Sequence, residues 1–144
     1  MSHIQNDELF DILIGKVSSA INRIFLRAFA NEGIDISIEQ WSVLACLWKN
    51  DGVTQQDLCN LTSKDKPSMT RLIDKLERRK LVTRISSIAD RRINLIQLTD
   101  AGKNLEEQAT NLVQTIVDRT LSNITDEELN ISRAVLKRIM VNLQ

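Results

Sequence analysis

Between Lys64 and Arg92 the chain carries ten Lys or Arg against four Asp or Glu, a local balance of +6. The remaining residues carry nine positive and fifteen negative groups, a balance of −6, so a formal net charge of zero conceals two opposed regions. Within the basic region, Lys66, Pro67, Thr70, Arg71, Asp74, Lys75 and Arg78 fall on one helical face, with Ser68 at its border. Met69, Leu72, Ile73 and Leu76 supply the opposite, apolar stripe at i, i+3, i+4 and i+7. Further on, Asp90, Arg91 and Arg92 close a polar loop between two apolar runs. Cations on a helix face and on a loop tip can neutralise a polyanion at two separated points, and DNA is the obvious candidate.

The elements that must position these residues follow from periodicity and capping. Apolar residues from Leu9 and Phe10 through Phe25 to Phe29 predict a long amphipathic helix from about Asp7 to Asn31, with Gly33 free to turn the chain past its end. Ser37 and Gln40 form a capping box ahead of a helix reaching about Lys49, apolar on nearly every side and therefore central. Its Trp41 and Trp48 read as core residues. Thr54 caps a short helix, Gln55 to about Leu61, with Leu58 and Leu61 expected inward. Asp65 caps the basic helix and Pro67 lies in its first turn, where proline is tolerated. A short helix, a turn and a basic helix make a helix-turn-helix.

Leu81–Ser86 and Ile93–Thr99 predict an antiparallel pair whose loop, Ser87 to Arg92, carries charge away from the body as a wing. Thr99 caps a helix from Asp100 to about Asn123, and a second capping box, Thr125 with Glu128, opens a last helix. The predicted fold is mainly α with a small two- or three-stranded β wing: a winged helix-turn-helix plus a helical dimerisation platform. The whole chain, 1–144, reads as one domain, with a DNA-binding lobe at about 37–99 and dimerisation helices at about 7–31 and 100–144.

Other chemistries find little support. There is no phosphate-cradling glycine loop, no nucleophile elbow and no histidine base in the predicted elements, and Glu106, Glu107 and Asp126–Glu128 sit at helix surfaces or a cap. No catalytic residues, cofactor or metal site are expected, since His3 is the only histidine and the two cysteines lack Cys-x-x-Cys spacing. No apolar run approaches the roughly 20 residues of a membrane span. The acidic amino end is unlike an export signal, so a reducing cytoplasmic setting is expected. Cys46 and Cys59 fall on buried helices, a poor context for a sensor thiol, which needs access and thiolate character. A protein-binding adaptor is the alternative from a different class, and paired wing arginines argue against it.

The segments SKDKPSMTRLIDKLERRKLVTR and DRRINLIQLTDAG, set among these helices, resemble the MarR family of bacterial transcriptional regulators from about Leu9 to Leu143. The resemblance implies a winged-helix homodimer on a pseudo-palindromic double-stranded operator, acting most often as a repressor. It also implies release by a small aromatic or phenolic ligand, or alternatively by cysteine oxidation. Carried over by position, the recognition face is Lys66, Pro67, Ser68, Thr70, Arg71 and Lys75. Asp90 and Arg92 match the family's wing pair, in which the acid orients an arginine for the minor groove, and Arg91 is a backbone-contact candidate. A carboxylate that limits the rotamers of an arginine suits a narrow groove of enhanced negative potential. Many members place glycine where this chain has Lys80, which implies a left-handed lysine just past the recognition helix.

Overall fold

A computed structural model describes residues 10–144, so the expected start of the first helix near Asp7, with Leu9, and His3 lie outside the described residues. Two compact units make up the chain, Met1–Val113 and Gln114–Gln144.

In the first unit, α1 (Phe10–Asn31) ends at Gly33, whose φ of +71° is the left-handed geometry expected there. Helix α2 (Ile38–Lys49) opens on the complete Ser37/Gln40 box, the Ser37 Oγ accepting from the Gln40 amide at 3.1 Å and Gln40 Oε1 from the Ser37 amide at 3.0 Å. Strand β1 (Val53–Thr54) leads into α3 (Gln55–Thr62), capped reciprocally by Thr54 and Asp57. Helix α4 (Lys66–Arg78) starts at Asp65, and the hairpin is β2 (Val82–Ser86) and β3 (Asn94–Leu98). The sheet order is β1-β3-β2, all antiparallel, with Val53 and Arg84 both opposite Ile96. The third strand is therefore β1, a two-residue piece between a turn and a cap.

The core of this unit is apolar, with Gln40 its buried polar residue among the described residues. Phe29, Val43, Leu44, Leu47, Leu58, Met69, Ile73, Leu76 and Ile96 are wholly buried, so the apolar stripe of α4 is clamped against α2, α3 and the sheet. Leu61 departs from expectation: the inward stripe of α3 runs through Leu58 and Cys59, and Leu61 falls to its side, exposed. Leu81 likewise precedes β2, because its amide closes the end of α4 on the Leu76 carbonyl.

The expected single helix after the wing is interrupted. Helix α5 (Asp100–Asn104) is pinned by Thr99, whose Oγ1 accepts from the Gly102 amide at 3.1 Å and donates to the Lys80 carbonyl at 2.6 Å. A Cβ at Gly102 would run into the Leu81 carbonyl, and the Gly102 carbonyl accepts from Trp48 Nε1 at 2.9 Å. The chain turns at Leu105 and continues as α6 (Glu106–Thr120).

In the second unit, α6 finishes and α7 (Asp126–Asn142) begins at the predicted Thr125/Glu128 box. Helix α7 buries none of its residues: Ile131, Leu136, Met140 and Val141 are all exposed, as is Leu143 at its C-terminal cap. Among the described residues, no helix is long and apolar enough to cross a membrane.

Candidate nucleic-acid interface

Helix α4 is built to stand out from the body at its N-terminal end. The Asp65 carboxylate accepts from the Ser68 amide at 2.7 Å. That backbone hydrogen bond, helped by the Ser68 hydroxyl and the charges of Arg71 and Lys64, holds the Asp65 carboxyl below the usual carboxylate range, so the cap is charged at neutral pH. Pro67 follows in the first turn, where its missing N–H costs nothing. With the moment of the helix so sharply divided, Lys66, Arg71 and Lys75 are exposed while Met69, Leu72, Ile73 and Leu76 are buried.

Each expected contact residue has a definite place. Arg71 rests loosely on the Ser68 hydroxyl at 3.4 Å and is otherwise exposed. Thr70 is the most committed: its Oγ1 donates to the Lys66 carbonyl at 2.9 Å and accepts from Gln55 Nε2 at 2.7 Å. That pair of bonds fixes the angle between α3 and α4, so Gln55 is a brace for the recognition helix. Nothing in the periodicity marked it, because it is polar and sits on the buried side of a short helix.

At the wing, Arg92 Nε donates to Asp90 Oδ1 at 3.2 Å, and the Arg92 amide donates to the same oxygen at 3.0 Å. The Arg92 side chain is 91% exposed, held at its root and free at its tip. Arg91 is exposed beside it. Arg92 and Lys66 meet across a cleft of about 390 Å³ between the wing, the start of α3 and the start of α4. The two basic points separated in the sequence are thus neighbours on one surface, whereas Lys75 lies toward the other end of α4.

Arg84 is the residue that sequence reasoning left without a role. Its guanidinium donates to Asp74 at 2.7 Å and to Glu77 at 2.8 Å, and its backbone amide donates to Glu77 at 3.2 Å. One arginine on β2 therefore ties the wing to the recognition helix and neutralises two carboxylates that would otherwise repel a polyanion. The signal was available only as two acids, Asp74 and Glu77, on a basic helix. Arg79 is also taken, by Asp35 at 2.9 Å, and Lys64 reaches Glu39 at 3.7 Å.

Past α4, Lys80 takes φ +60°, with its amide on the Glu77 carbonyl at 2.9 Å and the Leu81 amide on the Leu76 carbonyl at 3.0 Å. This is a Schellman ending with lysine at the position that favours glycine.

The arrangement pairs an exposed basic helix, long enough for a major groove, with an arginine rooted on the wing beside it. The MarR family model matches residues 36–93, from the approach to α2 through the wing. An uncharacterized HTH-type transcriptional regulator of Bacillus subtilis (strain 168), YdgJ, is 30% identical over 108 residues, which are 75% of this chain and 66% of that one.

The chain belongs to the MarR family.

Two solved MarR-family structures carry the likeness across nearly the whole chain. The S. aureus MepR–DNA complex superposes with a TM-score of 0.84 at 27% identity, covering 97% of this chain and 100% of that chain. A mutant E. coli MarR complexed with operator DNA gives 0.80 at 27% identity, covering 90% and 91%. MarR-family proteins are transcription regulators and not enzymes, which removes the catalytic reading.

Proposed function

We propose that this MarR-family regulator is a homodimeric repressor that binds a pseudo-palindromic double-stranded operator and lets go when a small aromatic or phenolic ligand binds. In this reading Lys66, Pro67, Ser68, Thr70, Arg71 and Lys75 form the major-groove face. Arg92, oriented by Asp90, enters the minor groove, and Arg91 meets the backbone. The observation that carries it is the wing: the Arg92 Nε is held by the Asp90 carboxylate while the side chain stays 91% exposed, which orients a cation outward. In this reading the protein works in the cytoplasm, where chromosomal DNA lies.

Dimerisation is supported by the unpartnered apolar faces. Phe10, Leu13, Val17 and Leu26 on α1 are exposed, as is the apolar side of α7. Two copies would cover them and set two α4 helices about one helical turn, roughly 34 Å, apart.

Ligand release draws support from Trp41. Its indole N–H is buried without an acceptor among the described residues, and its ring lies against Phe25 with centroids 6.3 Å apart. A buried donor left unpaired costs about 1–3 kcal/mol, which a phenolic or carboxylate oxygen would recover. Release by cysteine oxidation finds less support. Burial pushes the Cys46 thiol up against the opposing pull of Lys49, the wrong direction for a thiolate sensor, and Cys59 is buried.

The test is binding to a duplex recovered by selection from a randomised pool with the full-length protein. Arg92→Ala should weaken binding at least tenfold, about the effect of losing one good groove contact, while leaving the dimer intact. Unchanged affinity would remove the wing from the mechanism, and binding insensitive to salt would favour a protein-binding adaptor.

A further inference from the structure

Thr70 stands in the second turn of α4, half-buried, with Lys66, Pro67 and Arg71 exposed around it. A hydroxyl has a single proton to give and two lone pairs to receive. The Thr70 proton goes to the Lys66 carbonyl at 2.9 Å, one turn back along its own helix. A lone pair is filled from outside α4, by Gln55 Nε2 at 2.7 Å. The same Gln55 amide reaches the Lys66 carbonyl at 3.4 Å, so hydroxyl, amide and carbonyl close a small ring. Gln55 is itself anchored, since it opens α3 directly after the Thr54 cap. These bonds hold the Thr70 oxygen on the flank that faces α3 and leave it no proton for a base or a phosphate. What Thr70 still has to offer is the other branch at its Cβ, the Cγ2 methyl group.

We propose that Thr70 is a specificity-determining residue that reads thymine through its methyl group, with Gln55 positioning it by holding the hydroxyl aside. The proposal rests on the reading that α4 occupies a major groove, where the N-terminal residues of a recognition helix meet base edges. Thymine alone among the bases presents a C5 methyl group there. The N7 of either purine, guanine O6 and thymine O4 all require a donor, and the one donor of Thr70 is committed to Lys66. The amino groups of adenine and cytosine require an acceptor, and the Thr70 oxygen already sits in bonds of 2.7 and 2.9 Å toward α3 and the preceding turn. A methyl group against a methyl group needs no hydrogen bond and removes apolar surface of both partners from water. Serine could make the same ring of bonds and would have no methyl group to add, so the residue type matters.

The experiment measures binding of full-length wild type, Thr70→Ser, Thr70→Val and Arg71→Ala to the duplex recovered by selection. Each is also measured on copies in which uracil replaces thymine at one symmetric pair of positions at a time. Uracil pairs as thymine does and lacks only the C5 methyl group. One such exchange should weaken wild type by about fourfold per half-site, the worth of one buried methyl group. Thr70→Ser should bind the thymine duplex as weakly as wild type binds the uracil one, and should be indifferent to that exchange. Thr70→Val should keep the discrimination, with a lowered unfolding midpoint because the bond to Gln55 goes with the hydroxyl. Thr70→Ser keeps that bond and carries the test by itself.

If uracil costs wild type nothing at any position while Arg71→Ala weakens binding, the thymine reading is wrong and the DNA reading stands. If wild type shows no salt-dependent binding to any duplex, the DNA reading fails and takes the role of Thr70 with it. Full discrimination by Thr70→Ser would show that another side chain meets the thymine methyl group. Discrimination kept by Thr70→Ser and lost by Thr70→Val would give the position to the hydroxyl. Either result overturns the proposal.

Discussion

Lys80 carries a backbone cost that ends one element and starts the next. Left-handed backbone costs an L-residue on the order of 1–2 kcal/mol, because Cβ crowds the following carbonyl. The chain bears that cost because the Schellman bonds to Glu77 and Leu76 end α4 where β2 must begin. Lys80→Gly should therefore raise stability by about 1 kcal/mol, read as a higher denaturant midpoint at unchanged m-value. A lower midpoint would mean that the lysine side chain contributes more than its backbone costs. Trp41 poses the complementary residue-scale problem, a donor without an acceptor. Trp41→Phe keeps an aromatic ring beside Phe25 and removes the N–H together with part of the indole. Operator affinity should stay within twofold, while release by 2-hydroxybenzoate should need on the order of tenfold more ligand, the equivalent of about 1.4 kcal/mol. Equal sensitivity in both proteins would place the effector elsewhere.

At the scale of elements, what could be read from the chain was what is local. Ser37, Thr54, Asp65, Thr99 and Thr125 each cap the helix assigned to them, because a cap is a contact between residues three apart. The stripe Met69, Leu72, Ile73 and Leu76 is buried as its spacing requires. What escaped was set by partners distant in sequence. The bend at Leu105 follows from Gly102 seated against the Leu81 carbonyl, and β1 exists only because β3 pairs with it. Leu61 faces outward because the burial stripe of a short helix is fixed by its neighbours, and i+3 spacing alone leaves its phase open. The same division holds within the interface. The exposed basic face of α4 and the Asp90–Arg92 pair were legible, while the Gln55 brace and the double grip of Arg84 on Asp74 and Glu77 needed α3, α4 and β2 to be brought together.

For the whole molecule the question is why α7 should be an amphipathic helix that buries nothing. Leu136, Met140 and Leu143 recur at i, i+4 and i+7, and their exposures of 44%, 49% and 76% would leave an apolar ridge in water. In the proposed dimer a second copy would turn that ridge into an interface, and a stable one buries about 1,200–2,000 Å² in total. The consequence reaches DNA through geometry. A dimer presents two recognition helices at once, so the second half-site binds at the effective concentration set by the first, which raises affinity by a factor on the order of 10²–10⁴. Leu136→Glu places a charge on the ridge without touching α4 or the wing. It should give the mass of a single chain in light scattering at micromolar concentration, with the far-ultraviolet helix signal retained. Affinity for a two-half-site duplex should fall by on the order of 10²-fold, while affinity for an isolated half-site should change little. A variant that remains dimeric would move the interface away from α7. A monomer that still binds the full site as tightly as wild type would show that one recognition helix and one wing suffice, and the paired-head mechanism would have to be abandoned.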